Sequence, residues 1–321
     1  MHEDSWQGIQ RVHVPVNAAG PPGTIMFDWK CIRHAIKTGK APVLILGYNT
    51  GIFSLLLRLL GIPVIFNMDG LEWARAKWGW HEKAWLLVND LAASFIGNAL
   101  IADHPRIADM LKRRGVQDKV VTIPYGAPRV VGADPEVLRQ FDLEPDGYSL
   151  LVARAEPENS ILEIVSAYSA RPRPVPLVVV GKYDGETSDY QRRVKRAAGH
   201  QVRFLGAIFE RSIVETLRSG ARLYVHGHRV GGTNPSLVEA LAAGNAVLAH
   251  GNQFNRWCAG AGAAYFDNEV SCMEMLDALL GDSQRLERMR AASRKRHWES
   301  FGEHQELDAY ESCLARWVNG I

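Results

Sequence analysis

The 321-residue sequence holds only four cysteines, Cys31, Cys258, Cys272 and Cys313, and no Cys-x-x-Cys. That spacing argues against a disulfide framework and a structural zinc site, and it fits a reducing cytoplasm. Charge of one sign is also lacking. Lys and Arg number 37 against 35 Asp and Glu, a net +2, so no polyanion is implied and nucleic acid is not an expected partner. Long hydrophobic runs are missing as well. The most apolar segment, residues 52–66, is broken by Arg58, Gly61 and Pro63 and is too short to cross a bilayer as one helix. The first residues do not read as a secretory leader. Low-complexity tracts and solenoid repeats are absent.

What is present is ordinary for a globular protein: 47% hydrophobic and 22% charged residues, with length for two domains. Residues 1–8 are polar and expected to fray. Residues 9–16 alternate as a strand does. Pro21, Pro22 and Gly23 mark a turn, and residues 24–38 carry apolar side chains at helical spacing. Residues 41–47 (APVLILG) form a near-continuous apolar run, as in a strand buried on both faces. Helices are expected at 50–60, 85–96 and 104–114, and strands at 62–68, 99–102 and 119–123. Residues 127–147 are rich in Pro and Asp and read as a linker with one short helix. Beyond it come strands at 148–153, 176–181 and 202–205 and helices at 157–169, 186–199 and 209–219. The tail, 268–318, reads as mostly helical.

Regular alternation of this kind predicts an α/β class of two Rossmann-like domains with parallel sheets facing a cleft. The expected domains are residues 1–128 and 129–300, with a helix in 301–321 returning to the first. Ligands in such folds sit beyond the carboxyl ends of the strands.

The most informative stretch is 224–250, YVHGHRVGGTNPSLVEALAAGNAVLAH. It reads as strand, glycine loop, helix and strand. Gly231 and Gly232 let the backbone turn and approach a ligand. Asn234 suits an N-cap, Pro235 the first helical position, and Gly244 the helix end. A glycine loop opening onto a helix N-terminus favours anions. Glu239, one turn inside, is placed to accept bonds from sugar hydroxyls, or is a solvated residue of an ordinary connection.

Three segments carry a family resemblance. They are Leu151-Val152-Ala153-Arg154-Ala155-Glu156-Pro157-Glu158-Asn159, then Val178-Val179-Val180-Gly181 with Val202-Arg203-Phe204-Leu205-Gly206, then the 224–250 stretch, which matches a Glu-x7-Glu motif. Together they resemble the donor domain of retaining family-four glycosyltransferases of the GT-B fold. The wording NMDGLEWARAKWG and VHGHRVGGTNPSLVEA is similar to a rhamnosyltransferase-like subgroup of polysaccharide biosynthesis. The resemblance implies transfer of a hexose, rhamnose in that subgroup, from a nucleotide-diphosphate sugar to a glycan or lipid-linked acceptor with retention. The acceptor hydroxyl would attack on the leaving-group face, with the diphosphate taking the proton.

The resemblance also implies residue roles. Arg154 matches the basic residue at the donor diphosphate, where a guanidinium suits phosphate oxygens; the other reading is a surface or linker-facing Arg, and its place at a strand's carboxyl end favours the first. Asn159 stands where the wider family has Lys. Glu239 matches the second Glu, at the nucleotide's ribose. The first Glu falls at Gly231, leaving Gly232, Thr233 and Asn234 amides to reach sugar or phosphate. His228 matches a position near the donor, and His226 and His228 form an H-x-H read as sharing a strand face. No Asp-x-Asp occurs, so a metal-bridged diphosphate is not supported and no cofactor is expected. Asp69 falls where the family often has a His, and joins Arg154 as a catalytic candidate. It would bind acceptor hydroxyls or steady charge at the anomeric carbon; it also reads as a turn cap before Gly70. Glu72, Trp73 and His104 are acceptor-side candidates.

Trp73, Trp78, Trp80 and Trp85 alternate with Arg75, Lys77 and Lys83. That pattern suits an interfacial patch for a lipid-linked acceptor or a packed segment. The expected location is cytoplasmic, with peripheral contact at the inner face of the cell membrane left open. Family members begin with a central strand and Gly-Gly loop, and nothing similar precedes Ile9, so the first domain is expected to be N-terminally incomplete. Two other readings stand beside the transferase: a non-catalytic nucleotide-sugar binder or partner subunit, and a GT-B-shaped sugar-nucleotide epimerase.

Overall fold

The computed structural model describes residues 2–130, 132–183 and 188–318. The chain forms two compact units. One takes residues up to Ile123 and those from Ala309 on; the other runs from Pro124 to Asp308.

The first unit opens on an antiparallel hairpin, β1 (His2–Trp6) and β2 (Ile9–His13), rather than a frayed end. Polarity misled here: Arg11 forks onto the Asp4 carboxylate with two 2.8 Å bonds across the register. Helix α1 (Gly20–Thr38) then begins at the prolines expected to make a turn. Proline at the first helical positions gives up no intrahelical N–H bond, so it starts a helix as readily as it marks a turn.

Four parallel strands follow in the order β3-β4-β5-β6: β3 (Val43–Leu46), β4 (Val64–Asn67), β5 (Ala99–Ala102) and β6 (Val120–Thr122). They are joined by α2 (Leu55–Leu59), α3 (Trp80–Ile96) and α4 (Pro105–Arg113). Strands β4 and β5 are buried throughout. Strand β3 is not, contrary to its apolar run. Among the described residues it pairs only with β4, and Leu46 is 77% exposed. Composition cannot distinguish an edge strand from a central one, because burial depends on neighbours. Ala309, Tyr310, Cys313, Leu314 and Trp317 pack against Ile65, Ile101 and Ile123 of this sheet.

In the second unit, residues 127–147 are not a free linker. They contain α5 (Pro135–Arg139), and Leu138 and Leu143 are buried with Tyr148, Leu150 and Leu217. The Tyr148 hydroxyl donates to the Leu217 carbonyl at 2.6 Å. Six parallel strands then build one sheet: β7 (Ser149–Val152), β8 (Leu177–Val180), β9 (Val202–Gly206), β10 (Leu223–His226), β11 (Val247–His250) and β12 (Ala264–Phe266). The helices are α6 (Ile161–Ser169), α7 (Asp189–Ala197), α8 (Arg211–Ser219), α9 (Pro235–Ala242), α10 (Gln253–Ala259), α11 (Glu269–Leu280) and α12 (Ser283–Ser300); α13 (Glu303–Val318) starts in this unit, and its residues from Ala309 on belong to the first. Ser188 caps α7 by accepting from the Gln191 N–H. The expected helix over 186–199 thus starts at Asp189; positions 186 and 187 lie outside the described residues.

Strand order is β12-β11-β10-β7-β8-β9. The chain builds outward from β7 to β9, then crosses back to lay β10 on the other side of β7. The reversal lies between β7 and β10. At such a point the loops leave neighbouring strands in opposite directions, and a crevice opens at the carboxyl ends.

Candidate functional site

The loops leaving β7 and β10 are fastened together at that reversal. Ser160 adopts a left-handed conformation (φ 51°) and its Oγ donates to the Gly227 carbonyl at 2.8 Å. The Arg229 N–H donates to the Glu158 carbonyl at 2.9 Å and Arg229 Nε to Ser160 Oγ at 2.6 Å. Gly227 has to be glycine, since a Cβ there would overlap the Asn159 carbonyl oxygen.

Three predicted residues meet at this seam. Asn159 Nδ2 donates to the Arg154 carbonyl at 2.9 Å, which fixes which end of the amide is nitrogen. Its Oδ1 therefore faces His228 Nδ1 at 2.6 Å. Because Oδ1 only accepts, Nδ1 carries the proton, and in the neutral ring Nε2 holds the lone pair. The His228 carbonyl is held in turn by Asn252 and Asn255, each at 2.8 Å. The Arg154 side chain is exposed.

The H-x-H reading fails. Strand β10 ends at His226, so His228 belongs to the loop, and the two rings lie 6.3 Å apart. His226 is 4% exposed, with Nε2 unpartnered among the described residues. Burial, with smaller contributions from His228, Arg218 and His250, pushes its pKa down to about 3. No metal-holding group of His, Cys, Asp or Glu is found among the described residues.

The glycine loop follows. Gly231 and Gly232 sit at φ 88° and 105°, a region that strains any residue with a Cβ. Asn234 caps α9 as its sequence position predicts, accepting from the Ser236 N–H at 3.0 Å; its carbonyl takes the Leu237 and Val238 amides. Those three amides are thus spent inside the helix. Thr233 is buried, and Gly244 leaves the helix at φ 71°.

Glu239 projects from α9 into a cavity of about 230 Å³. Its carboxylate pairs with Arg218 Nη2 at 2.5 Å. Arg218 is buried, also bonds Ser236 Oγ at 3.0 Å, and has no partner for Nε among the described residues. Arg211, Glu215, Val214 and the 93% exposed Phe209 line the same cavity. Arg211 and Glu215 pair at 2.6 Å. Arg154 is not among the lining residues.

In the N-terminal unit Asp69 is exposed just past β4. Glu72 is enclosed by its own loop. Arg75 reaches it at 2.9 Å, Lys77 at 3.2 Å and the Trp78 indole at 2.9 Å. Burial raises its carboxyl, but Trp78, Arg75 and Lys77 outweigh that and hold it below the ordinary range. The Trp73 indole donates to Asp90 at 3.1 Å, so its polar edge is turned inward. His104 is fully buried and caps α4 by accepting from the Arg106 N–H at 3.0 Å. In that position it serves as a helix cap, whatever it also contacts on the acceptor side.

Residues 136–296 match the family described as Glycosyl transferases group 1. The chain belongs to that family. No curated protein matches the sequence. Among solved structures, sucrose-phosphate synthase from Thermosynechococcus elongatus superposes with a TM-score of 0.75 at 19% identity, covering 93% of this chain and 78% of that one. Anabaena Alr3699/HepE in complex with UDP gives 0.72 at 14% identity, with 89% and 82% covered. A UDP-forming α,α-trehalose-phosphate synthase from Burkholderia vietnamiensis gives 0.69 at 14%, with 92% and 79% covered. At these identities the likeness is one of fold, the GT-B arrangement of parallel α/β sheets.

For a group 1 glycosyltransferase, what the sequence pattern missed is Arg218, Arg211 and Phe209. Arg218 falls on the apolar side of α8, an unusual place for an Arg. That misplacement was the available signal. Phe209 precedes α8 and carried none.

Proposed function

We propose that this glycosyltransferase takes a hexosyl group, rhamnosyl in the reading its motifs support, from a nucleoside diphosphate to a glycan or lipid-linked acceptor, with retention. The observation that carries this is Glu239, held by a buried Arg218 at the wall of a cavity one helical turn from the glycine loop. A cavity smaller than the roughly 300–1,000 Å³ of whole-ligand pockets suits one part of a nucleotide sugar. Glu239 would accept from ribose hydroxyls there, with Phe209 offering an aromatic face at the mouth. The diphosphate would lie along Gly231 and Gly232 at the positive end of α9. Arg154 would meet the leaving-group charge, and His228 would lie near the donor. Acceptor binding is assigned to the N-terminal unit around Asp69.

Calorimetry with UDP and dTDP tests the reading. Glu239→Ala and Arg154→Ala should each weaken binding at least about tenfold, the loss expected for one charge-assisted contact. A panel of nucleotide sugars then identifies the donor by slow hydrolysis. Unchanged affinity in both variants would remove this site from the reaction.

A further inference from the structure

Helix α3 shows two faces. Leu86, Asn89, Asp90 and Ala93 are buried. Trp80, Leu87, Val88, Leu91 and Phe95 are 73%, 39%, 53%, 38% and 59% exposed. Their spacing places them in one stripe, about 22 Å long at 1.5 Å per residue. The turn that leads into α2 is tied to the same helix, with the Ile52 N–H donating to Asn89 Oδ1 at 3.1 Å. Helix α2 and the residue after it also expose Leu59, at 74%, and Leu60, at 51%. An apolar face this continuous is rare on a surface left to water alone.

Cations flank it at both ends. At the Phe95 end, Lys119 Nζ donates to the Phe95 carbonyl at 2.9 Å. Burial lowers its pKa, and repulsion from Arg58 adds to that, which places Arg58 alongside. At the other end Lys83 lies in the first turn of α3. Glu82, the acid beside it, is folded back against Gly79. Over whole units, residues up to Ile123 and from Ala309 carry 15 Lys and Arg against 11 Asp and Glu, a net +4. Pro124 to Asp308 carry 22 against 24, a net −2.

We infer that this face docks on an anionic lipid bilayer, with α3 lying in the interface and its cations on the headgroups. A second copy of the chain fits less well, since it would set Arg58, Lys119 and Lys83 against their own kind. The inference does not depend on the donor site, and its test uses no nucleotide.

The full-length protein is floated with phosphatidylcholine vesicles, with and without phosphatidylglycerol, at low and high salt. Wild type should float with the phosphatidylglycerol vesicles and be released by salt. Leu91→Glu combined with Phe95→Glu should lose at least about tenfold in partitioning. Arg58→Glu changes two charge units, and at roughly fivefold per unit it should lose about 25-fold. These side chains are exposed, and circular dichroism should show each variant folded. The proposal is overturned if wild type stays behind at low salt, or if the double variant floats as wild type does. It is equally overturned if wild type sediments as a dimer that the double variant converts to monomer, since a second copy then covers the face.

Discussion

Arg218 and Glu239 come from different helices, α8 and α9, and meet at 2.5 Å with the guanidinium buried and the carboxylate half open to a cavity. The pair does more for orientation than for stability, because desolvating the guanidinium offsets much of the attraction. Glu239→Gln keeps the shape but loses the charge-assisted bond. It is expected to weaken nucleotide binding about tenfold. Arg218→Met removes the clamp, so Glu239 loses its fixed position. Its binding loss should match that of Glu239→Gln, and the double variant should show little further loss. A calorimetric double-mutant cycle checks this; additive losses would mean that the two act separately.

Gly231 stands where the resemblance places a Glu, and its φ of 88° shows that the difference is one of backbone as well as side chain. Gly231→Glu should not restore a donor-sugar contact. It should cost about 1–2 kcal/mol of stability for a left-handed residue with a Cβ. Urea unfolding at neutral pH measures the cost, and donor turnover that rises in the variant would contradict the expectation.

His226 sets a pH limit on the C-terminal unit. Burial depresses its pKa from an ordinary 6.5 to about 3. Between those values the unfolded chain binds the extra proton and the folded one does not. Stability therefore rises with pH across this window, and is lost on acidification from about 6.5 toward 3 at up to about 1.4 kcal/mol per pH unit. His226→Asn should flatten this limb in denaturation midpoints taken from pH 7 down to 4. An unchanged slope would assign the acid sensitivity to other groups.

Asp90, 1% exposed, accepts both Arg114 Nη atoms, at 2.9 and 2.6 Å, and the Trp73 indole at 3.1 Å. Asp90→Ala strands the guanidinium and is expected to cost the N-terminal unit about 3–5 kcal/mol. Thermal unfolding followed by tryptophan fluorescence reports it. A loss under about 1 kcal/mol would mark the pair as a screened surface contact.

Much of the fold was legible in the pattern. The strand at 99–102 matches β5 residue for residue, and Asn234, Pro235 and Gly244 bound α9 as their chemistry requires. Local rules suffice there, because caps, turns and buried runs are decided within a few residues. They failed where a choice depended on what lay alongside. Pro21 and Pro22 start a helix, residues 127–147 pack into a core, and β3 ends at an open edge.

By itself the sequence determined the alternation of strands and helices, the glycine loop and the kinship to group 1 glycosyltransferases. Hydrophobic period and backbone preference are properties of short segments. Only the tertiary structure decided that His104 is a cap, that His228 takes its proton position from Asn159, and that an arginine at position 218 clamps Glu239. Each of those depends on which side chains from distant segments the fold brings within bonding distance, a relation that no local pattern encodes.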